Sequence, residues 1–518
     1  MPEVHLAEFL SLTLVRDGTT PLARQLYEAL RELILAGDLA AGAKLPATRT
    51  LAGETRLSRN TVLSAYAQLQ CEGYVLCTTG SGTFVSDTVP ALLEAGAPRA
   101  DTQGMQGGAG EPTILSARGG DIVGNAQASS QQWGAFVPGV PDVSLFPHAI
   151  WARLYRRQWR SPAPELLTYA HGAGHPPLRR VLAHHLRLSR SVRCEPRQVV
   201  ITGGVHQSIS LAAWLLGDSG QAAWVENPSY WGATTMLKAC GIRTVPVDVD
   251  EQGLAPTPAQ MREPPQFIFV SPSHQYPLGT VMSLARRRML LEYAHQHRIW
   301  IIEDDYDSEF RFDGRPVPSL QGLDSHDRVI YLGTFSKTLY PGLRLGYMVL
   351  PPQIEAHFAN GLSELYREGR LLDQAVLADF LKEGHYATHI RRMRTLYNRR
   401  QSLLREVIFG FLGPQWPVST HEAGLHLVLH LPDGVDDVGI MHAARAGGIS
   451  VKALSRYYAG GSGKRGLLLG YAGVPEAQIR PGFGMLMRYM EPALSEAGRQ
   501  HGMRTEMDAT SDHGKLAG

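Results

Sequence analysis

Cysteine is scarce in this chain: Cys71, Cys77, Cys194 and Cys240 are the only four in 518 residues, and they are scattered without the spacing of metal ligands. That excludes a disulfide scaffold and a cysteine-bound metal centre, and it predicts reduced thiols in a cytoplasmic protein. Long apolar runs are missing too. No uninterrupted stretch is long enough to span a bilayer, and the first residues lack the basic start and apolar core of a signal peptide. No membrane association is expected. A charge excess is also lacking, because 50 Lys and Arg stand against 48 Asp and Glu. Net charge therefore argues neither for nor against nucleic acid, and only its local distribution can. Internal repeats are absent.

What is present is length and a globular balance. The chain exceeds one ordinary domain, and 44% hydrophobic against 19% charged residues supplies a large core. Residues 1–85 carry short helical patterns that end in a Gly-rich hairpin signal. Residues 86–130, with "GMQGGAGEP" and "NAQASS", are too poor in apolar side chains to fold and read as a flexible linker. Across 131–500, buried-strand runs such as "QVVITGG", "QFIFVSP", "RIWIIEDDY" and "RVIYLGTFSK" alternate with helical stretches. That pattern predicts an α/β domain with a mostly parallel sheet and helices on both faces. Residues 501–518 are polar and are expected to form a disordered tail.

In the N-terminal zone, Leu22, Leu26, Leu30, Leu33 and Ile34 share one face of a helix predicted from Pro21 to Ala36, with Pro21 in its first turn. "KLPATRTLAGETRLSRNTVLSAYAQLQCEGY" then predicts two helices joined at Arg56-Leu57-Ser58, with Ser58 capping the second. Val62, Ala65, Tyr66 and Leu69 form the buried face of that second helix. Arg59, Asn60 and Ser64 are left for solvent. Lys44, Arg49, Arg56 and Arg59 cluster with only Glu54 among them. Such a cluster is usually a solvated face, and it matters only where a fold sets it against DNA. "GYVLCTTGSGTFVS" predicts a hairpin around Gly80-Ser81-Gly82 whose backbone can approach a phosphate or the minor groove.

"LPATRTLA", "SRNTV", "AYAQL" followed by "GY", and "GSGTFV" together resemble the winged helix-turn-helix of GntR-family bacterial regulators. The resemblance implies a double-stranded DNA partner, contacted by Arg49, Ser58, Arg59, Asn60, Thr61 and the wing at Gly82. Arg49 and Arg59 fall early in their helices, where free N–H groups assist phosphate contact.

The C-terminal zone carries "YLGTFSKTLYPGLRLGY", in which a strand ends at Thr334, Ser336 and Lys337 follow, and Arg344 lies seven residues further on. A lysine amine can form a Schiff base with an aldehyde cofactor, and hydroxyls with an arginine can hold a dianionic phosphate. A lone lysine after a strand is more often a surface residue. Here other strand ends supply complementary groups. "IIEDDY" offers Asp304 or Asp305 to a protonated pyridine nitrogen, and Tyr306 to a phenolic oxygen. "ITGGVHQS" aims the backbone N–H groups of Val205 and His206 at an anion. "ENPSY" places Tyr230 where it can stack on a flat ring.

This set resembles fold-type I aminotransferases. The resemblance implies pyridoxal 5'-phosphate as cofactor, Lys337 as the aldimine lysine, Asp304 as the ring-nitrogen partner with Asp305 as the fallback, and Tyr306 as the O3′ partner. "LTYAHGAGHPPLRR" resembles the segment whose tyrosine, here Tyr169, reaches the phosphate of the neighbouring subunit, which implies a homodimer. An aminotransferase-like domain after a GntR-type reader is identified as the MocR group of regulators.

Two functions follow from that resemblance: a regulator that senses pyridoxal phosphate or its adduct with an amino compound, and a working aminotransferase with a DNA-binding appendage. They differ in what holds a substrate carboxylate. Aminotransferases of this fold place an arginine in a C-terminal strand where "GLLLGYA" has Leu468, and related regulators place another where this chain has Gly232. Lys464 and Arg465 lie near enough in sequence to substitute. The loss of the arginine argues against robust transamination and for pyridoxal phosphate itself as the signal, as in PdxR-like regulators.

Overall fold

The structure, a computed structural model, describes residues 3–16, 18–78, 81–87, 114–124, 134–169, 172–312, 317–367, 369–419, 423–461 and 463–513. Most of the linker expected over 86–130, Gly80 of the wing and the last five residues lie outside these. The chain divides into two compact units, 1–113 and 114–518.

The first unit holds α1 (Glu3–Thr13), α2 (Leu22–Leu35), β1 (Lys44–Leu45), α3 (Thr48–Thr55), α4 (Arg59–Cys71), β2 (Val75–Thr78) and β3 (Gly82–Val85). The strands form an antiparallel sheet in the order β1-β3-β2. Leu26, Leu30 and Leu33 of α2 meet Leu51 of α3 and Val62, Ala65 and Leu69 of α4 in one buried cluster. Pro21 stands one residue ahead of α2 as its N-cap, outside the first turn. Helix α1 was not foreseen, yet its Leu6, Ala7 and Leu10 join the same core. Arg56 closes α3 in the left-handed region (φ 51°), and the Ser58 hydroxyl accepts the Thr61 N–H at 3.0 Å, which starts α4 at Arg59. Ser58→Ala removes this cap, and thermal denaturation is expected to show the unit destabilised by about 1 kcal/mol.

The second unit opens with α5 (Ala117–Gly124), an eight-residue helix inside the segment expected to be a structureless linker. It lies against a helix described below as α9, although none of its side chains is buried. Helices α6 (His148–Arg160) and α7 (Pro176–Arg190) follow, then β4 (Val199–Thr202), α8 (Val205–Leu216), β5 (Ala222–Asn227), α9 (Trp231–Ala239), β6 (Arg243–Asp250), β7 (Gly253–Leu254), β8 (Phe267–Val270), β9 (Trp300–Asp305), β10 (Val329–Thr334) and β11 (Gly346–Val349). These strands build an eight-stranded sheet ordered β4-β11-β10-β9-β8-β5-β6-β7. Strands β10, β9, β8, β5 and β6 run parallel, while β11 and β7 are antiparallel to their neighbours.

Successive residues of the central strands bury into different clusters. Ile301 packs with Ile268 and Leu290 on one face, and Ile302 with Phe269, Ile209 and Phe358 on the other. Burial on both faces is why these strands read as continuous apolar runs. The parallel arrangement gathers the carboxyl ends of β4, β5, β8, β9 and β10 at one edge, where ligands of open α/β sheets bind.

A smaller antiparallel sheet, β12 (His426–His430), β13 (Lys452–Ala453) and β14 (Gly466–Gly470), is ordered β12-β14-β13. The last helix, Glu476–His513, carries regular structure well into the tail expected to be disordered from residue 501.

A candidate cofactor site and a candidate DNA-reading surface

Three acids end β9, and their surroundings differ. Glu303 accepts the backbone N–H groups of Leu320 (2.7 Å) and Gln321 (2.8 Å). Asp305 accepts from Arg190 Nε (2.7 Å) and from the Tyr331 hydroxyl (2.5 Å). Asp304, pointing the other way in the pleat, is 4% exposed, and its Oδ1 has no hydrogen-bond partner. Burial, with Asp305 and Asp307 nearby, raises its pKa to about 7. Asp305 is engaged by Arg190, and Asp304 is the carboxyl with an open valence.

Lys337 follows β10 by three residues and is half-buried, with Nζ donating to the Gly139 carbonyl at 2.8 Å. Burial lowers its pKa, against the opposing pull of Asp307 and Asp304. An amine moved toward neutrality is a better nucleophile. The Tyr306 hydroxyl lies 3.0 Å from His274 Nδ1, and the same nitrogen lies 3.0 Å from Asp307 Oδ2. His274 and Asp307 are not among the residues expected from the sequence.

An anion cradle forms where α8 starts. Gly204 caps it at φ 116°, and Val205 and His206 occupy the first turn, whose N–H groups lack intrahelical acceptors. A Cβ on Gly204 would stand 3.6 Å from Arg344 Nη2, so this guanidinium lies over the cradle. Arg344 itself sits in the left-handed region (φ 50°) and is exposed in the single chain. Gly346 lets β11 press against the cradle, since a Cβ there would come within 2.9 Å of Gly204 Cα. The Thr334 hydroxyl accepts the Ser336 N–H at 3.1 Å, fixing the turn that leads to Lys337.

Tyr230, at the N-cap of α9, places its hydroxyl 2.8 Å from His206 Nε2 and stands edge-on to Tyr276, with ring centroids 5.9 Å apart. Gly232 is enforced by this pair, because any side chain would run into His206 Nε2 and the Tyr230 ring. Tyr169 stands apart from the other site residues. It is 69% exposed, with the Arg367 guanidinium 6.0 Å from its ring. Arg465, considered above as a substitute cation, faces the buried Asp437 at 3.5 Å.

Pyridoxal phosphate fits this arrangement. Lys337 offers the amine for its aldehyde, and the unpartnered Asp304 Oδ1 offers a carboxyl for its ring nitrogen. The α8 N-terminus with Arg344 offers charge and N–H groups for its phosphate. One consequence concerns the cofactor-free protein. Folded, Asp304 keeps its proton up to about pH 7; unfolded, it releases it near pH 4. As pH rises between these values the unfolded state is favoured, by about 1.4 kcal/mol per pH unit. Asp304→Asn removes that contribution. Denaturation of cofactor-free wild type and variant across pH 4–8 is expected to show the variant gaining ground up to about pH 7 and no further.

In the first unit, Arg49 is the second residue of α3, and Arg59 and Asn60 open α4. All three are exposed and make no side-chain hydrogen bond among the described residues. Thr61, half-buried, bonds to Ser58 through its backbone and its hydroxyl. Gly82 lies in the wing at φ 126°, where a Cβ would stand 2.8 Å from Lys44 Cε. Lys44 Nζ in turn lies 5.7 Å from the Phe84 ring centroid, which sets a cation across the wing. A helix N-terminus flanked by unpaired Arg and Asn is suited to phosphates and base edges. Among the described residues there is no cluster of metal-ligating side chains, and no helix is long and apolar enough to cross a membrane.

Residues 143–457 match the aminotransferase class I and II family, and residues 22–85 match the bacterial regulatory proteins of the gntR family. The chain is 40% identical to the probable rhizopine catabolism regulatory protein MocR of Rhizobium meliloti, over 92% of this chain and 95% of that protein. It is 31% identical to the pyridoxine biosynthesis transcriptional regulator PdxR of Corynebacterium glutamicum, over 89% and 94%. Among solved structures it resembles LysN, an α-aminoadipate aminotransferase of Thermus thermophilus, with TM-score 0.66 and 27% identity over 73% of this chain and 98% of that one. With a GntR reader and an aminotransferase class I and II domain in one chain, and relatives matched over nearly their full length, this protein belongs to the MocR group of GntR-family transcriptional regulators.

Proposed function

We propose that this regulator reads cellular pyridoxal phosphate, alone or joined to an amino compound, and converts its binding into a change of operator affinity. The proposed cofactor site comprises Lys337, Asp304, Tyr306, Tyr230, Thr334, Ser336, Arg344 and the N–H groups of Val205 and His206. The partner subunit's Tyr169 completes it in a cytoplasmic homodimer. The strong exposure of Tyr169 supports that last assignment, as does the exposure of Arg344. Arg49, Ser58, Arg59, Asn60, Thr61 and the wing at Gly82 are the proposed contacts to double-stranded DNA.

When bound, the cofactor supplies an aldehyde reactive toward amines and an electron-withdrawing ring. The chain's part is to orient it. Asp304 holds a proton at the ring nitrogen, Tyr306 with His274 and Asp307 positions a donor at the ring hydroxyl, and Tyr230 covers a ring face. The observation that carries this reading is Asp304, a buried carboxyl beside Lys337 with one oxygen unpartnered. Leu468 stands where a working aminotransferase has its carboxylate-binding arginine, and this favours a sensor over a catalyst. Borohydride reduction of the cofactor-loaded protein, followed by peptide mapping, is expected to find the label on Lys337. A label on another lysine, or none, would overturn the site.

A further inference from the structure

Helix α5 has eight residues, three of them glycine, and no buried side chain, yet it lies against α9. A helix so short and glycine-rich does not hold its shape in water by itself. Something besides its own side chains must keep it on the domain. Between α5, α9, the end of β5, β6 and the turn at 456–460 lies a cleft of about 430 Å3. That is the size small organic ligands fill. None of the residues proposed to hold the cofactor lines it. We infer that this cleft is a second ligand site, for a small organic dianion with an apolar body, which clamps α5 to the domain.

The charges around the cleft point to an anion. Arg118 comes from α5, Lys238 from α9 and Arg456 from the turn, and all three are exposed. None of them makes an ion pair or a side-chain hydrogen bond among the described residues. Two acids line the same cleft, Asp121 and Glu226. Glu226 is turned to the other side, where its Oε2 accepts from the Ser271 N–H at 3.3 Å, and burial pushes its pKa up to about 8. It is therefore uncharged at neutral pH and leaves the cations in excess. Lys452 feels that excess, since its pKa is lowered by burial and then by Arg456 and Arg445. Like charges around one cleft repel. Without an anion between them, the repulsion of Arg118 by Lys238 and Arg456 works against the docking of α5. A dianion reverses its sign, and two guanidiniums with an ammonium suit a phosphate monoester or a dicarboxylate.

The walls suit the rest of such a molecule. Ile122 of α5 and the half-buried Trp231 supply apolar surface. The Thr235 and Thr244 hydroxyls make no hydrogen bond among the described residues and are open to a polar substituent. Trp231 also ties the cleft to the cofactor groups, with ring centroids 5.6 Å from Tyr230 and 5.8 Å from His206. Helix α5 opens the second unit, next in sequence to the first. An occupant that fixes α5 thus governs where the chain leaves for the DNA-reading unit.

The test uses the full-length, cofactor-loaded protein and three probes: phenyl phosphate, phthalate and the uncharged phenol. Calorimetric titration measures binding, hydrogen exchange follows the α5 amides, and long-wavelength absorbance reports the cofactor. At least one dianion is expected to bind about 10-fold or more tightly than phenol, to slow exchange in α5 and to leave the cofactor band unchanged. The tighter of the two dianions tells a phosphate ligand from a dicarboxylate. Arg118→Ala and Arg456→Ala, both at exposed positions, are each expected to weaken that binding about 10-fold. Binding of neither dianion, or binding no tighter than phenol, would overturn the inference. So would binding that both variants retain in full, that leaves α5 exchange unchanged, or that displaces the cofactor band and so belongs to the α8 cradle. A wild-type protein without a cofactor band would overturn the cofactor reading instead, and the same titration of the cleft would still decide this one.

Discussion

Lys337→Ala is expected to abolish the long-wavelength absorbance of the bound cofactor entirely while leaving a folded protein that still binds operator DNA. The loss is total because, among the described residues of the proposed site, Lys337 is the one amine placed to bond covalently with the aldehyde. Asp304, Arg344 and the α8 N-terminus remain, so weaker, non-covalent binding of pyridoxal phosphate is expected to persist. The structural cost is small. Lys337 makes one side-chain hydrogen bond, to Gly139, worth about 1 kcal/mol, and its truncation also removes an ammonium that burial disfavours. Absorbance, a denaturation curve and a DNA shift on the same sample check all three expectations. A retained band would place the reactive amine elsewhere. Loss of folding would contradict the division into two units.

Arg59→Ala is expected to weaken operator binding about 10- to 100-fold and to leave the cofactor spectrum untouched. Arg59 is the first residue of α4, exposed, without a side-chain partner among the described residues, and next to the N–H groups that Ser58 leaves free. Whether it meets a phosphate or a base is separable. A phosphate contact lowers the salt dependence of binding by about one ion and weakens all sequences alike. A base contact costs about 1–3 kcal/mol and relaxes specificity at one position. Unaltered affinity at every salt concentration would remove Arg59 from the reading surface.

The parts of the proposed site that were legible in the sequence are those written into one segment. Lys337 with Thr334, Ser336 and Arg344 spans eleven residues, and the glycines before Val205 announce a strand-to-helix turn in four. Ser58 was legible as a cap for the same reason. The choice between Asp304 and Asp305 was not, because both end β9 and only their distant partners distinguish them. Arg190 and Tyr331, 115 and 26 residues away, engage Asp305 and leave Asp304 open. His274 and Asp307 likewise acquire meaning only once β8 and β9 lie side by side. In the fold, the parallel sheet followed from buried apolar runs. Helix α1 was missed because exposed Phe9 and Leu12 blur its apolar stripe. Helix α5 was missed because its three glycines and low hydrophobicity argue for a linker, and it lies against α9 without burying a side chain.

Sensing requires more than cofactor binding. A ligand shifts DNA affinity only by the difference between its affinities for the DNA-binding and non-binding conformations. A tenfold change in operator affinity requires about 1.4 kcal/mol of such coupling. The direct measurement is a titration of the operator fragment, at fixed salt, with the same preparation before and after loading with pyridoxal phosphate. The account predicts operator dissociation constants that differ by about fivefold or more, with the difference lost in Lys337→Ala. Equal constants for the cofactor-free and loaded protein would contradict it.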